Sequence, residues 1–272
     1  RFAELIKKYP GTKFSCLVDN LAAAAEQSAV FTENELVVPV FIDLNIGMNR
    51  TGIAGEEAAV HLYMACSALL GIEPVGLQAY DGHIRQTDFA ARTAACNEAF
   101  FVVEKIKSEL EKTDLPAPII IAGGSPTFPI HAKRPDVECS PGTFIYWDKG
   151  YSDACPEQDF LPAAVLVTRV ISLPEKNRVC TDLGHKSVAA ENELSKIVFF
   201  LNANDLIPVG QSEEHLVLEV PENHGHQIGD VLYALPYHIC PTVALYEKVV
   251  IVENGKLVGE WKNTARDRKI NI

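Results

Sequence analysis

The chain has 272 residues, 47% hydrophobic and 22% charged, a composition that suits a folded soluble protein with one large domain or two smaller ones. A formal net charge of −12 argues against nucleic acid and anionic membrane as partners, because no basic face is left to neutralise phosphates. No uncharged apolar run reaches membrane-spanning length.

Seven scattered cysteines (Cys16, Cys66, Cys96, Cys139, Cys155, Cys180 and Cys240) form no CxxC pair. An odd count with such spacing suits a reducing cytoplasm rather than secretion. The chain opens inside an amphipathic helix without an initiator Met, so it is expected to be a piece of a longer protein.

Taken in order, 14–19 predicts a strand, 20–31 an Ala-rich helix, 38–44 a strand and 56–70 a helix. A strand at 75–80, a long helix over 88–110 and strands at 119–122 and 143–147 follow. Apolar strands alternating with helices imply a parallel sheet covered on both faces, as a barrel or a doubly wound sheet. After about residue 150 the pattern turns to strands, at 163–172, 179–183, 197–201, 215–220, 230–235 and 242–252. Asn254-Gly255 reads as a hairpin turn. The expected division is 1–150, a β/α portion, and 151–272, a mainly β domain.

Polar and glycine-rich residues fall at the carboxyl ends of the β/α strands, where parallel α/β folds place their sites. They are Asp43 through Arg50, then Tyr80-Asp81-Gly82-His83, Gly123-Gly124-Ser125-Pro126-Thr127, and Ser140-Pro141-Gly142-Thr143. The Gly-Gly-Ser and Pro-Gly-Thr segments offer backbone N–H groups and hydroxyls suited to a phosphate, although each alone is a common turn. His83 has the chemistry of a base, a ring-stacking partner or an ordinary loop histidine. Near the end, Pro236-Tyr237-His238-Ile239-Cys240 continues a strand, so that alternation places His238 and Cys240 on one face as a potential ligand pair. From spacing alone, a buried strand with a satisfied His and an inert Cys is the favoured reading.

The order of these motifs resembles the D-threonine aldolase and D-serine dehydratase family of pyridoxal-phosphate enzymes, within the alanine-racemase-like barrel class. Asp182-Leu183-Gly184-His185-Lys186 and Ser212-Glu213-Glu214-His215 extend the resemblance over nearly the whole chain. The resemblance implies a partial TIM-type β/α barrel, about five of its eight strands, followed by a mainly β domain carrying the metal ligands. It implies that Arg50 contacts the cofactor's phenolic oxygen or the substrate carboxylate, and that Tyr80 meets the pyridine nitrogen. By the same resemblance Gly124, Ser125, Gly142 and Thr143 surround the phosphate, and His83 is a catalytic residue beside ring and substrate. His238 and Cys240 then bind a divalent metal, zinc first and manganese second.

The implied activity is a lyase on D-3-hydroxy amino acids, by retro-aldol cleavage to glycine and an aldehyde. Dehydration of D-serine or D-3-hydroxyaspartate to a 2-oxo acid and ammonia is the alternative, followed by a racemase or a non-catalytic pyridoxal-phosphate carrier. Aldolases of the family pair the metal-binding His with an Asp two residues on, whereas Cys240 matches the dehydratases. They also place a catalytic His where this chain has Gln86. The family's Schiff-base lysine lies on the first barrel strand, ahead of Arg1, so these residues alone are expected to be inactive. Lys186 is a poor substitute because it falls in the β domain. The resemblance further implies a homodimer.

Overall fold

A computed structural model describes residues 1–267. It divides into two compact units, Arg1–Gly142 and the chain from Thr143 onward. The first unit runs α1 (Phe2–Lys8), β1 (Cys16–Val18), α2 (Leu21–Glu33), β2 (Val38–Leu44), α3 (Glu56–Ser67) and β3 (Ile72–Ala79). It continues with α4 (Phe89–Leu110), β4 (Ile119–Ala122), the single turn α5 (Phe128–His131) and β5 (Val137–Cys139). All five strands are parallel and lie in chain order, β1-β2-β3-β4-β5. This is a partial β/α barrel wall with its helices, as expected.

Helix starts follow local chemistry. The Asn20 side chain accepts from Ala23 N at 2.8 Å to open α2, and Asp88 accepts from Ala91 N at 2.7 Å to open α4. Strand β2 is buried along nearly its whole length, and Ile42, Leu44, Leu77, Ala79 and Ile120 form a core with Phe100, Val103 and Ile106 of α4. The sheet is tight at Gly76, where an added Cβ would stand 2.2 Å from the Ile119 carbonyl oxygen of the next strand. Gly76→Ala should therefore force β3 and β4 apart, at a cost of about 3 kcal/mol or more, read as lost thermal stability.

The fifth strand of the first unit differs from expectation. Thr143–Ile145 is a 3-10 turn rather than a strand, and the fifth strand is Val137–Cys139. The apolar run Phe144-Ile145-Tyr146 has strand composition, but Trp147 takes φ +50 and its N–H donates to Thr143 O at 2.7 Å, closing a turn.

The second unit contains α6 (Lys149–Ala154), β6 (Leu166–Glu175), β7 (Arg178–Thr181), β8 (Val198–Phe200), β9 (Ile207–Gln211) and β10 (Leu216–Glu219). Then come β11 (Val231–Pro236), α7 (Ile239–Val243), β12 (Lys248–Glu253) and β13 (Lys256–Lys262). Six strands form an antiparallel sheet in the order β8-β11-β6-β7-β10-β9, and β12 and β13 form a separate hairpin. The hairpin turns at Asn254 and Gly255, both with positive φ, as the Asn-Gly signal predicts. Val170, Val179, Ile197, Phe200, Leu216, Leu218 and Leu232 are among the buried residues of its core. The expected strand over 242–252 starts only at Lys248, because the residues before it form α7.

Candidate functional site

Three loops at the carboxyl ends of β2, β3 and β4 carry the candidate residues of the first unit. Asn45 shapes the first loop, its Oδ1 accepting from Gly47 N at 3.1 Å and from Asn49 N at 3.0 Å. Just past β1, Asp19 accepts from Gly52 N at 3.2 Å, and Ile53 N donates to Asp43 O at 2.8 Å. Burial raises the Asp43 carboxyl above its ordinary range, partly offset by a hydrogen bond from Thr51. The loop so held lays the exposed Arg50 guanidinium 4.8 Å from the centre of the Tyr80 ring, a cation–π distance.

Glycines pack on the aromatic groups at this rim. A Cβ at Gly82 would lie 2.3 Å from the Tyr80 phenol oxygen, one at Gly124 3.1 Å from its ring, and one at Gly47 2.6 Å from His83 Nε2. The rim thus brings together Arg50, Tyr80 and Gly124, and separately seats exposed His83 on Gly47. A cation, a phenol and bare backbone fit a planar anionic cofactor such as pyridoxal phosphate. Ser125 is buried in the turn after β4, while Gly142 is exposed with open space about it.

Beneath the rim lies a group that the sequence did not announce. Asp81 Oδ1 accepts from Gly124 N at 3.0 Å and from Thr127 Oγ1 at 2.7 Å, while Oδ2 is 2.9 Å from His131 Nε2. The Cys96 sulfur is 3.3 Å from His131 Nε2 and 3.8 Å from Asp81 Oδ2. All four side chains are buried. Asp81, Cys96 and His131 offer three potential metal-ligand atoms, all within 4.8 Å of one another. Burial, helped by the Asp81 charge, pushes the Cys96 thiol up to about 12, so it stays protonated near neutrality. Gly123 has φ +84, and a Cβ there would stand 2.6 Å from His131 Cδ2. Gly123→Ala should accordingly cost about 1–3 kcal/mol, visible as a lower unfolding midpoint in urea.

In the second unit, β11 ends at Pro236, so His238 and Cys240 do not share a strand face. His238 is instead the N-cap residue of α7 and Cys240 lies in its first turn. The two side chains still meet, through a hydrogen bond that lowers the Cys240 thiol and, with Glu191, raises the His238 imidazole to about 9. Glu191 contacts His238 Nδ1, and Thr143 Oγ1 is 3.6 Å from Cys240 Sγ. The buried Asp148 holds this turn from below, accepting from Ile239 N at 3.0 Å and from Tyr151 N at 2.8 Å. Imidazole and an easily formed thiolate, with a carboxylate on the far imidazole nitrogen, fit zinc. Lys186 is exposed and paired with Glu213 at 2.7 Å and Glu214 at 3.2 Å. Those carboxylates raise its pKa, the opposite of what a Schiff-base amine needs.

Comparison with known proteins bears on both units. Residues 3–149 match the family described as alanine racemase, N-terminal domain, and 163–252 match the putative serine dehydratase domain. A 3-hydroxy-D-aspartate aldolase of Paracoccus denitrificans (strain Pd 1222) is 25% identical, over 98% of this chain and 70% of its own length. A D-threonine aldolase of an Arthrobacter species is 26% identical, over 93% of this chain and 68% of its own. The crystal structure of D-threonine aldolase from Filomicrobium marinum superposes with a TM-score of 0.88 at 23% identity, covering 97% of this chain and 72% of that one.

Proposed function

Because the chain belongs to the alanine racemase N-terminal-domain family, we propose that it acts in a pyridoxal-phosphate- and divalent-metal-dependent lyase that cleaves D-3-hydroxy amino acids. The reaction is retro-aldol, giving glycine and an aldehyde. Similarity to two aldolases through nearly the whole chain supports the reaction class. The observation that carries the site is Arg50 at cation–π distance from Tyr80, whose ring packs so close on Gly82 and Gly124 that a Cβ at either would press on it.

Each residue has a task its chemistry suits. Tyr80 presents a phenol to the pyridine nitrogen, and a neutral phenol leaves that nitrogen less protonated than a carboxylate would. Arg50 supplies a fixed positive charge for the phenolic oxygen or the substrate carboxylate. Gly124, Ser125, Gly142 and Thr143 are the phosphate's neighbours. His83 takes or returns the proton that moves as the Cα–Cβ bond breaks. When bound, pyridoxal phosphate supplies an electron sink at Cα. A metal held by His238 and Cys240 supplies Lewis acidity at the substrate's β-hydroxyl, with zinc favoured over manganese by the thiolate.

The full-length protein, given D-threonine, is expected to release glycine and acetaldehyde and to stop on chelation. Release of 2-oxobutanoate and ammonia instead would establish the dehydratase alternative, which Cys240 and the match to the putative serine dehydratase domain favour. Activity that survives chelation would remove the metal from the reading. The proposal includes a homodimer in the cytoplasm. Among the described residues no two cysteines form a disulfide, in keeping with a reducing compartment, and no helix is long and apolar enough to cross a membrane.

A further inference from the structure

Four potential donors converge on the buried Asp81 carboxylate: Gly124 N–H, Thr127 O–H, His131 Nε2 and the Cys96 thiol. That matches the number of lone-pair sites a carboxylate offers. The 2.9 Å between His131 Nε2 and Asp81 Oδ2 is an ordinary N–H···O length. Oδ1 is already engaged twice, which leaves a single carboxylate oxygen for His131 and Cys96. The group is therefore better read as a hydrogen-bonded anchor than as a metal centre.

What it anchors is the turn after β4. Thr127 and Gly124 span the short segment that contains Ser125, and both bond the same carboxylate oxygen. The Gly124 amide is turned inward to Asp81, so the segment's shape is set from beneath. The Gly124 carbonyl is engaged in turn by Phe128 N at 3.0 Å. Residues 123–127 are all buried, and Asp81 ties them to the loop that carries Tyr80.

We propose that Asp81, acting through Thr127, is a positioning residue that fixes the 123–127 turn in the form that receives the cofactor's phosphate. The inference rests on the reading of Gly124 and Ser125 as the phosphate's neighbours. It separates Asp81 from His83, two residues away in the chain, which meets the reacting atoms.

The test measures dissociation constants for pyridoxal phosphate and for pyridoxal, which lacks the phosphate, on the full-length protein by spectral titration. Thr127→Val should weaken pyridoxal phosphate roughly tenfold, the scale of one charge-assisted hydrogen bond, and leave pyridoxal within about twofold. Thr127→Ser, which keeps the hydroxyl, should restore binding to nearly the wild-type value. Should Thr127→Val not fold, Thr127→Ala gives the same comparison. Equal weakening of both compounds, or an unchanged constant for the phosphate form, overturns the proposal. So does a stoichiometric zinc that survives His238→Ala and departs with Cys96→Ser, since that would make the group a metal centre. A wild-type protein that binds neither compound overturns the functional reading itself, and this inference with it.

Discussion

Replacing Cys240 with serine is expected to lower zinc affinity roughly a hundredfold or more and to reduce aldolase activity in proportion, with added metal restoring part of it. The thiolate is the softer and more strongly held of the two donors, and a hydroxyl does not deprotonate to replace it. His238→Ala should do the same. Equilibrium dialysis against zinc measures the effect directly, and retention of wild-type affinity in both variants would remove the metal from this turn.

The pH dependence has a definite sign. In the metal-free protein the Cys240 hydrogen bond, then Glu191, hold the His238 imidazole protonated up to about pH 9. Metal must displace that proton, so affinity should climb as pH rises from 6 toward 9 and level off above it, by at most about one decade per unit. Cys240→Ser removes the largest cause of the raised pKa. Its imidazole should fall back toward 6.5, and what metal binding remains should level off nearer neutrality. The same raised imidazole contributes stability to the metal-free fold that is fully present below pH 6.5 and is lost as pH passes through about 9.

The other large effect is expected at Asp148, far from the ligands in sequence. Asp148→Ala removes the acceptor of both Tyr151 N and Ile239 N, the cap of α6 and the tie that holds the residue between His238 and Cys240. Losing a cap and stranding a buried amide together cost about 2–4 kcal/mol. Asp148→Asn keeps one acceptor oxygen but turns an NH2 toward the other amide N–H, so it should lose one of the two ties and fall between the wild type and the alanine variant in stability. Thermal unfolding of the two variants distinguishes these outcomes. Zinc affinity should fall in the alanine variant even at temperatures where it stays folded, because the residue between the two proposed ligands loses its side-chain anchor.

Strands β2 and β4 were legible because they are apolar runs between helix signals. The expected ranges 38–44 and 119–122 coincide with β2 and β4. β5 was missed because three residues of mixed polarity carry no period, while the neighbouring Thr143–Ile145 has strand composition and turns only because Trp147 adopts φ +50. The meeting of His238 with Cys240 was expected for a mistaken local reason. Alternation along a strand was invoked, whereas a helix cap brings the side chains together. Arg50 and Tyr80 stood out through the order of motifs and not through spacing, and their contact with each other had no signal in the sequence. The partners of these residues were not legible. Glu191 reaches His238 across 47 positions, Asp148 reaches Ile239 across 91, and Asp81 reaches His131 across 50. Such contacts leave no periodic trace in a single sequence.

Strand order also sets the sequence of assembly. The strands of the first unit pair with chain neighbours, so that sheet can grow as each β/α segment leaves the ribosome. In the second unit β11 lies between β6 and β8, two strands made long before it. The six-stranded sheet is incomplete until the chain has been synthesised past Pro236, and His238 and Cys240 follow immediately. A nascent chain therefore closes this unit and completes the turn that carries His238 and Cys240 in nearly the same step. A metal held by His238 and Cys240, as proposed, would then be captured only late, once the sheet beside that turn can close.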